Sequence, residues 1–87
     1  MQNNVNIAGA AGACHGVVVE IGTTAVTGKF YAIQVLTDTV FALLTENGKS
    51  GDAMTGITIP AGTTIINGLG ITAFTLTSGS VRAYKLP

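Results

Sequence analysis

Charged side chains are the scarcest feature of this sequence. Only 9% of its 87 residues are Asp, Glu, Lys or Arg, against about 25% in typical soluble domains. Four acidic residues balance four basic ones, so no basic patch exists to neutralise phosphates and we expect no nucleic-acid binding. Intrinsic disorder is excluded as well, since disordered chains are polar and highly charged. With 47% hydrophobic residues, much of the surface is expected to be covered by partner proteins.

Three further absences narrow the possible classes of protein. No apolar run approaches about 18 residues, so we expect no membrane span. No Lys or Arg precedes Lys29, which argues against a secretory signal. A single cysteine cannot form an intrachain disulfide and leaves the redox compartment open.

The residues needed for catalysis are also missing. Cys14 and His15 form the one thiol–imidazole pair, but neighbours on an extended chain point in different directions and a thiolate needs a positioned base. We therefore expect structural roles for both and no enzymatic activity. One Cys, one His and scattered carboxylates cannot supply a metal site within one chain. A metal on a symmetry axis, bound by His15 from several subunits, is the remaining alternative.

A phosphate-binding loop is the one cofactor motif with a partial match. Gly48-Lys49-Ser50 resembles the end of such a loop, but the glycine required five residues before Gly48 is replaced by Leu43. We interpret this segment as an exposed turn and expect no cofactor.

The stretch from Ile57 to Lys85 indicates a β protein most clearly. Short runs rich in Thr, Ile and Val are separated by Pro-Ala-Gly, Asn-Gly and Ser-Gly, which are residues that fit pleated surfaces and tight turns respectively. The predicted strands are Val17–Ile21, Lys29–Leu36, Thr39–Thr45, Gly56–Ile59, Thr63–Ile66, Gly70–Leu76 and Ser80–Leu86. The predicted turns are Thr37-Asp38, Pro60–Gly62, Asn67-Gly68 and Ser78-Gly79.

This pattern predicts an all-β fold, with six to eight short antiparallel strands in a compact sandwich or small barrel. Residues 17–87 are expected to form a single β domain. Residues 1–16, rich in Ala and Gly, are expected to form a flexible or docking N-terminal arm, because glycine raises the entropy cost of ordering and alanine buries little area.

Several individual residues carry specific expectations. Alternation along Lys29–Leu36 places Phe30 and Ala32 on one face of the strand. It places Tyr31 and Ile33 on the other face. Strands that are apolar on both faces are covered on both, so the candidate interface consists of apolar strand residues. These are Val17, Val19, Phe30, Tyr31, Phe41, Phe74 and Tyr84.

The most polar segment, Glu46–Thr55, predicts an exposed loop with Asn47, Lys49 and Asp52 as candidate contact residues. Asp38 is expected to bond nearby backbone N–H groups at a turn. Glu20 interrupts an apolar strand, and we expect it to face solvent or to pair with Lys29 or Arg82.

A weak internal repeat occurs at an offset of 40 residues. Gly22-Thr23-Thr24 and Gly28 recur as Gly62-Thr63-Thr64 and Gly68. If the repeat is real, it predicts two similar hairpin units packed face to face. Chance is the competing explanation in a chain so rich in glycine and threonine.

Three segments together resemble small β-rich virion proteins of tailed bacteriophages. They are Phe30–Phe41 (FYAIQVLTDTVF), Ile59–Gly68 (IPAGTTIING) and Thr75–Lys85 (TLTSGSVRAYK), which span roughly the last two-thirds of the chain. The resemblance does not include the Ala/Gly-rich segment before Val17, and it supplies no catalytic motif or binding residues to transfer.

The resemblance implies a non-enzymatic structural protein located in the virion and assembled in the host cytoplasm. The specific expectation is a capsid decoration (cement) protein that binds the major capsid protein or other virion proteins as a homo-oligomer, with a trimer favoured. Two alternatives remain: a tail, spike-base or fibre component, and a small carbohydrate- or host-surface-binding module that uses the Glu46–Thr55 loop.

Overall fold

The structure is a computed structural model that describes residues 16–86. Its strands, in chain order, are β1 (Val17–Glu20), β2 (Val26–Glu46), β3 (Thr58–Ile59) and β4 (Thr64–Lys85). No helix occurs among these residues, and all strand pairs are antiparallel. The all-β antiparallel prediction is therefore confirmed. Residues 1–15, including Cys14 and His15 of the predicted arm, lie outside the described residues.

The strands form one open sheet in the order β1-β4-β2-β3. The described residues contain four strands instead of the six to eight short strands predicted. The number is lower because β2 and β4 are 21 and 22 residues long and each includes more than one predicted strand. Each is bent, and β4 lies on both sides of the middle of β2: Ala32 pairs with Ile66 on one side and with Tyr84 on the other.

Three predicted turns proved to be irregularities inside the long strands. Thr37-Asp38 lies within β2, and Asn67-Gly68 and Ser78-Gly79 lie within β4, where the pairing register shifts. Glycine with positive φ is common to tight turns and to β-bulges, and Gly79 has φ of +98°. The local residues predict chain reversals, whereas in the structure the strands continue through them.

The turn at Pro60–Gly62 is present as predicted. Thr63 N donates to Pro60 O at 3.2 Å, and Gly62 has φ of +89°, which a residue without a side chain adopts at low cost. This turn docks on β2, since Gly62 N donates to Val35 O and Val35 N donates to Thr63 O, each at 2.8 Å. Because β3 and the start of β4 both pair antiparallel with β2, the chain continues in the same direction along β2 after this turn.

The core is built around three phenylalanines. Phe74 lies between Phe30 and Phe41, with ring centroids 5.6 Å and 6.3 Å away and edge-to-face geometry at 64° and 88°. All three side chains are fully buried. The other large buried side chains of this core are Ile33, Val35, Ile59, Ile65, Ile71, Leu76 and Val81.

The two halves of the chain have the same layout. Each has a short strand, a Gly-Thr-Thr connection and a long bent strand, and the short strand pairs with the long strand of the other half: β1 with β4, and β3 with β2. Buried Phe30, Ile33 and Val35 of β2 correspond in spacing to buried Ile71, Phe74 and Leu76 of β4. The repeated units interleave instead of forming the two separate hairpins that the repeat predicts.

Candidate interaction surface

Two rows of side chains cross the side of the sheet opposite the core. Directly opposed residues of an antiparallel ladder point to the same side. The first row therefore runs Val17–Tyr84–Ala32–Ile66 and the second Val19–Arg82–Gln34–Thr64. We call these eight residues the outer face. The intervening row, Val18–Ala83–Ile33–Ile65, points into the core.

Polar and aromatic contacts fix the centre of the outer face. The Tyr84 hydroxyl donates to Gln34 Oε1 at 3.1 Å, and the Arg82 guanidinium carbon lies 5.5 Å from the centroid of the Tyr84 ring. Tyr31 packs beside the same ring at 6.1 Å with a 34° tilt. Cation–π and aromatic contacts of this kind reduce side-chain freedom before any partner binds.

A bulge explains why Tyr31 lies beside Tyr84. Phe30 pairs with Lys85 and Ala32 with Tyr84, so β2 has one extra residue at this point, which is the definition of a bulge. The predicted sharing of one face by Phe30 and Ala32 is therefore wrong: Phe30 joins the core cluster together with Ile33, and Ala32 lies in a row of the outer face.

Apolar side chains at the two ends of the outer face are exposed. Val17, Val19 and Ile66 are 39%, 53% and 59% exposed, and Arg82 is the one formally charged residue of the eight. Exposed apolar residues lie at both ends of the first row, while Ala32 within it is only 2% exposed. Tyr and Arg, which lie at the centre of the face, are enriched at the energetic centres of interfaces. The composition thus fits a protein-binding surface.

Both edges of the sheet are protected against strand addition. β1 has four residues, and its Glu20, opposite core residue Val81, places a charged side chain on this edge strand. β3 has two residues and is followed by Pro60. Short edge strands, charged side chains and proline each discourage pairing with another chain. The outer face is therefore better suited to a protein contact than either edge.

The carboxylate of Glu20 has a local partner. Its Oε2 accepts a hydrogen bond from the backbone N–H of Gly22 at 3.0 Å, and Arg82, one of its two expected partners, instead lies over the Tyr84 ring. Asp38 has a distant partner: its Oδ1 accepts from the Ala61 N–H at 2.9 Å. The expectation of nearby N–H groups is wrong here, because Asp38 lies in a bent strand against the Pro60–Gly62 turn.

The seven predicted interface residues divide into two groups. Val17, Val19, Tyr31 and Tyr84 lie on or beside the outer face. Phe30, Phe41 and Phe74 are fully buried in the chain's own core, so they have no surface to offer a partner. Composition alone does not separate these groups, because both consist of apolar strand residues.

The outer face also contains residues that are not among the predicted interface residues. They join it through pairings with β2 or β4 between positions 30 to 52 apart, and they are Ala32, Gln34, Thr64, Ile66 and Arg82. Alternation along one strand explains why Arg82 shares a face with Tyr84, and Ala32 with Gln34, but it does not reveal which strands lie side by side.

The predicted contact loop is exposed at Asn47, Lys49 and Asp52. Its base is tied to β4, since Asn47 N donates to Gly70 O at 2.9 Å and Asn47 Nδ2 to Leu69 O at 3.1 Å. Gly48 lies in a turn and no helix follows the Gly48-Lys49-Ser50 segment, so the geometry of a phosphate-binding loop is not formed there.

Within residues 16–86, no three His, Cys, Asp or Glu side chains come together in a way that could hold a metal ion. The same part of the chain contains no helix with the length and apolar character needed to cross a membrane. Searches against protein-family models, curated proteins and solved structures gave no match for this chain.

Proposed function

We propose that this chain is a non-enzymatic structural protein of a tailed-phage virion, and specifically a capsid decoration protein that acts as a homo-oligomer, with a trimer favoured. The observation that carries the proposal is the outer face, where Val17, Val19 and Ile66 remain exposed around an ordered Tyr84–Arg82 pair. Its partners are sister subunits and the major capsid protein or another virion protein.

Energetics favour assembly for a chain of this composition. A domain of this size hides only about 60% of its unfolded surface and is marginally stable alone. Burying the exposed valines and isoleucine against a neighbour returns about 25 cal/mol for each Å² of apolar area. Few charges need to be desolvated, because Arg82 is the only one on the outer face.

The sheet geometry supports a finer proposal about the fold. Because β2 has β4 on both sides around Ala32, the bent β2–β4 pair is proposed to form a small barrel-like body around Phe74, in keeping with the expected compact β domain. Such a body presents a firm outer face, which lowers the entropy cost of binding.

Charge introduced on the outer face tests the oligomer. Val19 and Ile57 are both 53% exposed and lie near opposite edges of the sheet, at β1 and next to β3. We expect sedimentation of the wild type to give an oligomer at micromolar concentration. Val19→Lys should give a folded monomer, and Ile57→Lys should sediment like the wild type. A wild-type monomer would contradict the proposal.

Location in the particle needs a second measurement. Quantitative mass spectrometry of virions should give hundreds of copies for a shell protein, whereas a few copies would favour the tail, spike-base or fibre alternative. The host-binding alternative depends on the exposed loop with Lys49 and Asp52. Deleting residues 49–52 would reduce attachment to host cells only if that alternative holds.

A further inference from the structure

The chain contains two Asn-Gly dipeptides, Asn47-Gly48 and Asn67-Gly68. A glycine after asparagine leaves its backbone nitrogen unhindered and its dihedral angles free, so this nitrogen can attack the asparagine side-chain amide carbon. The two dipeptides have the same local chemistry. They differ in what holds them in the fold, and that difference decides which one reacts.

Asn67 lies within β4 and is held by three hydrogen bonds. Its Nδ2 donates to Asn47 O at 3.1 Å and to Glu46 Oε1 at 3.3 Å. Its Oδ1 accepts from the Leu69 N–H at 2.9 Å. The side chain must break all three to turn its amide carbon towards Gly68 N.

The Asn47 side chain is held by fewer hydrogen bonds, although its backbone N–H donates to Gly70 O at 2.9 Å. Asn47 follows β2 in a turn and is exposed, and Gly48 next to it has φ of +75°. Among residues 16–86, one hydrogen bond restrains its side chain, from Nδ2 to Leu69 O at 3.1 Å. Exposed turns open locally at little free-energy cost, so Asn47 reaches the reactive geometry more readily than Asn67.

We propose that Asn47 is a site of spontaneous deamidation and that Asn67 is protected by the fold. Gly48 N bonds to Asn47 Cγ and loses its proton, the Cγ–Nδ2 bond breaks, and ammonia leaves with that proton. Water then opens the five-membered succinimide at either carbonyl, giving aspartate or isoaspartate. The net reaction consumes one water and releases one ammonia, with no oxidant or reductant.

The product changes the contacts around it. A carboxylate at position 47 no longer donates to Leu69 O and places a second negative charge beside Glu46. Isoaspartate also inserts a methylene into the main chain, which displaces the Asn47 carbonyl that Asn67 Nδ2 uses. Asn67 thereby loses a restraint, so its conversion follows that of Asn47.

The proposal predicts that Asn47 deamidates before Asn67. This order can be tested by incubating the folded full chain at mildly alkaline pH and mapping its peptides by mass spectrometry. Two additional hydrogen bonds must break at Asn67, so we expect Asn47 to convert at least about tenfold faster. In denaturant the two rates should become similar. Equal rates in the folded protein, or faster conversion of Asn67, would overturn the proposal.

Two glutamine variants allow deamidation at the two sites to be measured separately. A glutamine side chain forms its cyclic imide far more slowly than asparagine forms succinimide. Asn47→Gln should remove the early product and leave Asn67 slow throughout. Asn67→Gln should leave early conversion at position 47 intact. If Asn67 converts as fast in Asn47→Gln as in the wild type, its conversion does not depend on prior conversion of Asn47, and that part of the proposal is wrong. The folded-against-denatured comparison of the wild type remains decisive should a variant fail to fold.

Discussion

Thr39 occupies the space that a β carbon on Gly79 would need. A β carbon built on Gly79 would collide with Thr39 Oγ1 and lie 2.6 Å from Asp38 O. Thr39 cannot move aside easily, because it is fully buried and its hydroxyl donates to Thr37 O at 2.7 Å. The contact lies where β2 and β4 both bend, so it fixes the corner of the sheet.

Gly79→Ala should therefore be strongly destabilising. Positive φ costs an alanine about 1–2 kcal/mol, and forcing the Thr39 contact apart adds about 1–3 kcal/mol. We expect a loss of about 3 kcal/mol in the free energy of unfolding, measured by denaturant titration.

Gly62→Ala provides the matched control for this prediction. Gly62 has a similar φ of +89°, but nothing lies within 4 Å of its added β carbon. It should lose only the conformational contribution, about 1–2 kcal/mol. Equal losses in the two variants would show that the Thr39 contact does not matter.

The β character of the chain was predictable because it depends on local chemistry. Thr, Ile and Val between glycine-containing breaks favour strands wherever they occur, and the Pro60–Gly62 turn formed as expected. Whether Ser78-Gly79 reverses the chain or bends a strand depends on Thr39, 40 positions away. The residues next to Ser78-Gly79 in sequence do not reveal that contact. The sequence therefore predicts more strands than the described residues contain.

The outer face was only partly predictable for a related reason. A single extra residue at Tyr31 reverses the alternation that places Phe30 and Ala32, because side chains alternate with a period of two residues. The rows also join β1, β2 and two parts of β4, and pairings between distant segments cannot be read from one strand. Buried Phe74 and partly exposed Tyr84 therefore look equivalent in sequence.

Truncation of Phe74 should cost more than any other single core substitution in this chain. Its ring contacts both Phe30 and Phe41 edge-to-face. Phe→Ala in a core costs about 3–5 kcal/mol, which approaches the total stability of a small domain. We expect Phe74→Ala to be largely unfolded by circular dichroism.

Phe74→Leu keeps most of the volume and should remain folded with a reduced unfolding temperature. A folded Phe74→Ala variant with cooperative unfolding near that of the wild type would contradict the central position assigned to this ring.

Asp38 should stabilise the Pro60–Gly62 turn through its bond to Ala61 N–H. Asp38→Ala leaves that N–H without its side-chain acceptor and should cost about 1 kcal/mol. Asp38→Asn retains an acceptor oxygen and should cost less, which separates the hydrogen bond from the charge. Thermal unfolding measures both, and a larger loss in Asp38→Asn than in Asp38→Ala would refute the assignment.

Glu20 should limit aggregation at the β1 edge. It is the one charged residue between Val17 and Ile21, and replacing it with valine would give five consecutive apolar residues on an unpaired strand edge. Long apolar edges pair with other chains, and gatekeeper charges prevent this. We therefore expect Glu20→Val to increase light scattering on incubation at native pH, with fibrillar or amorphous product.

Glu20→Gln distinguishes the effect of the charge from that of polarity. Glutamine retains an oxygen that can accept the Gly22 N–H bond but carries no charge. If charge is what protects the edge, Glu20→Gln should aggregate faster than the wild type and slower than Glu20→Val. If Glu20→Val stays clear for as long as the wild type, the brevity of β1 alone protects this edge and the charge has another role.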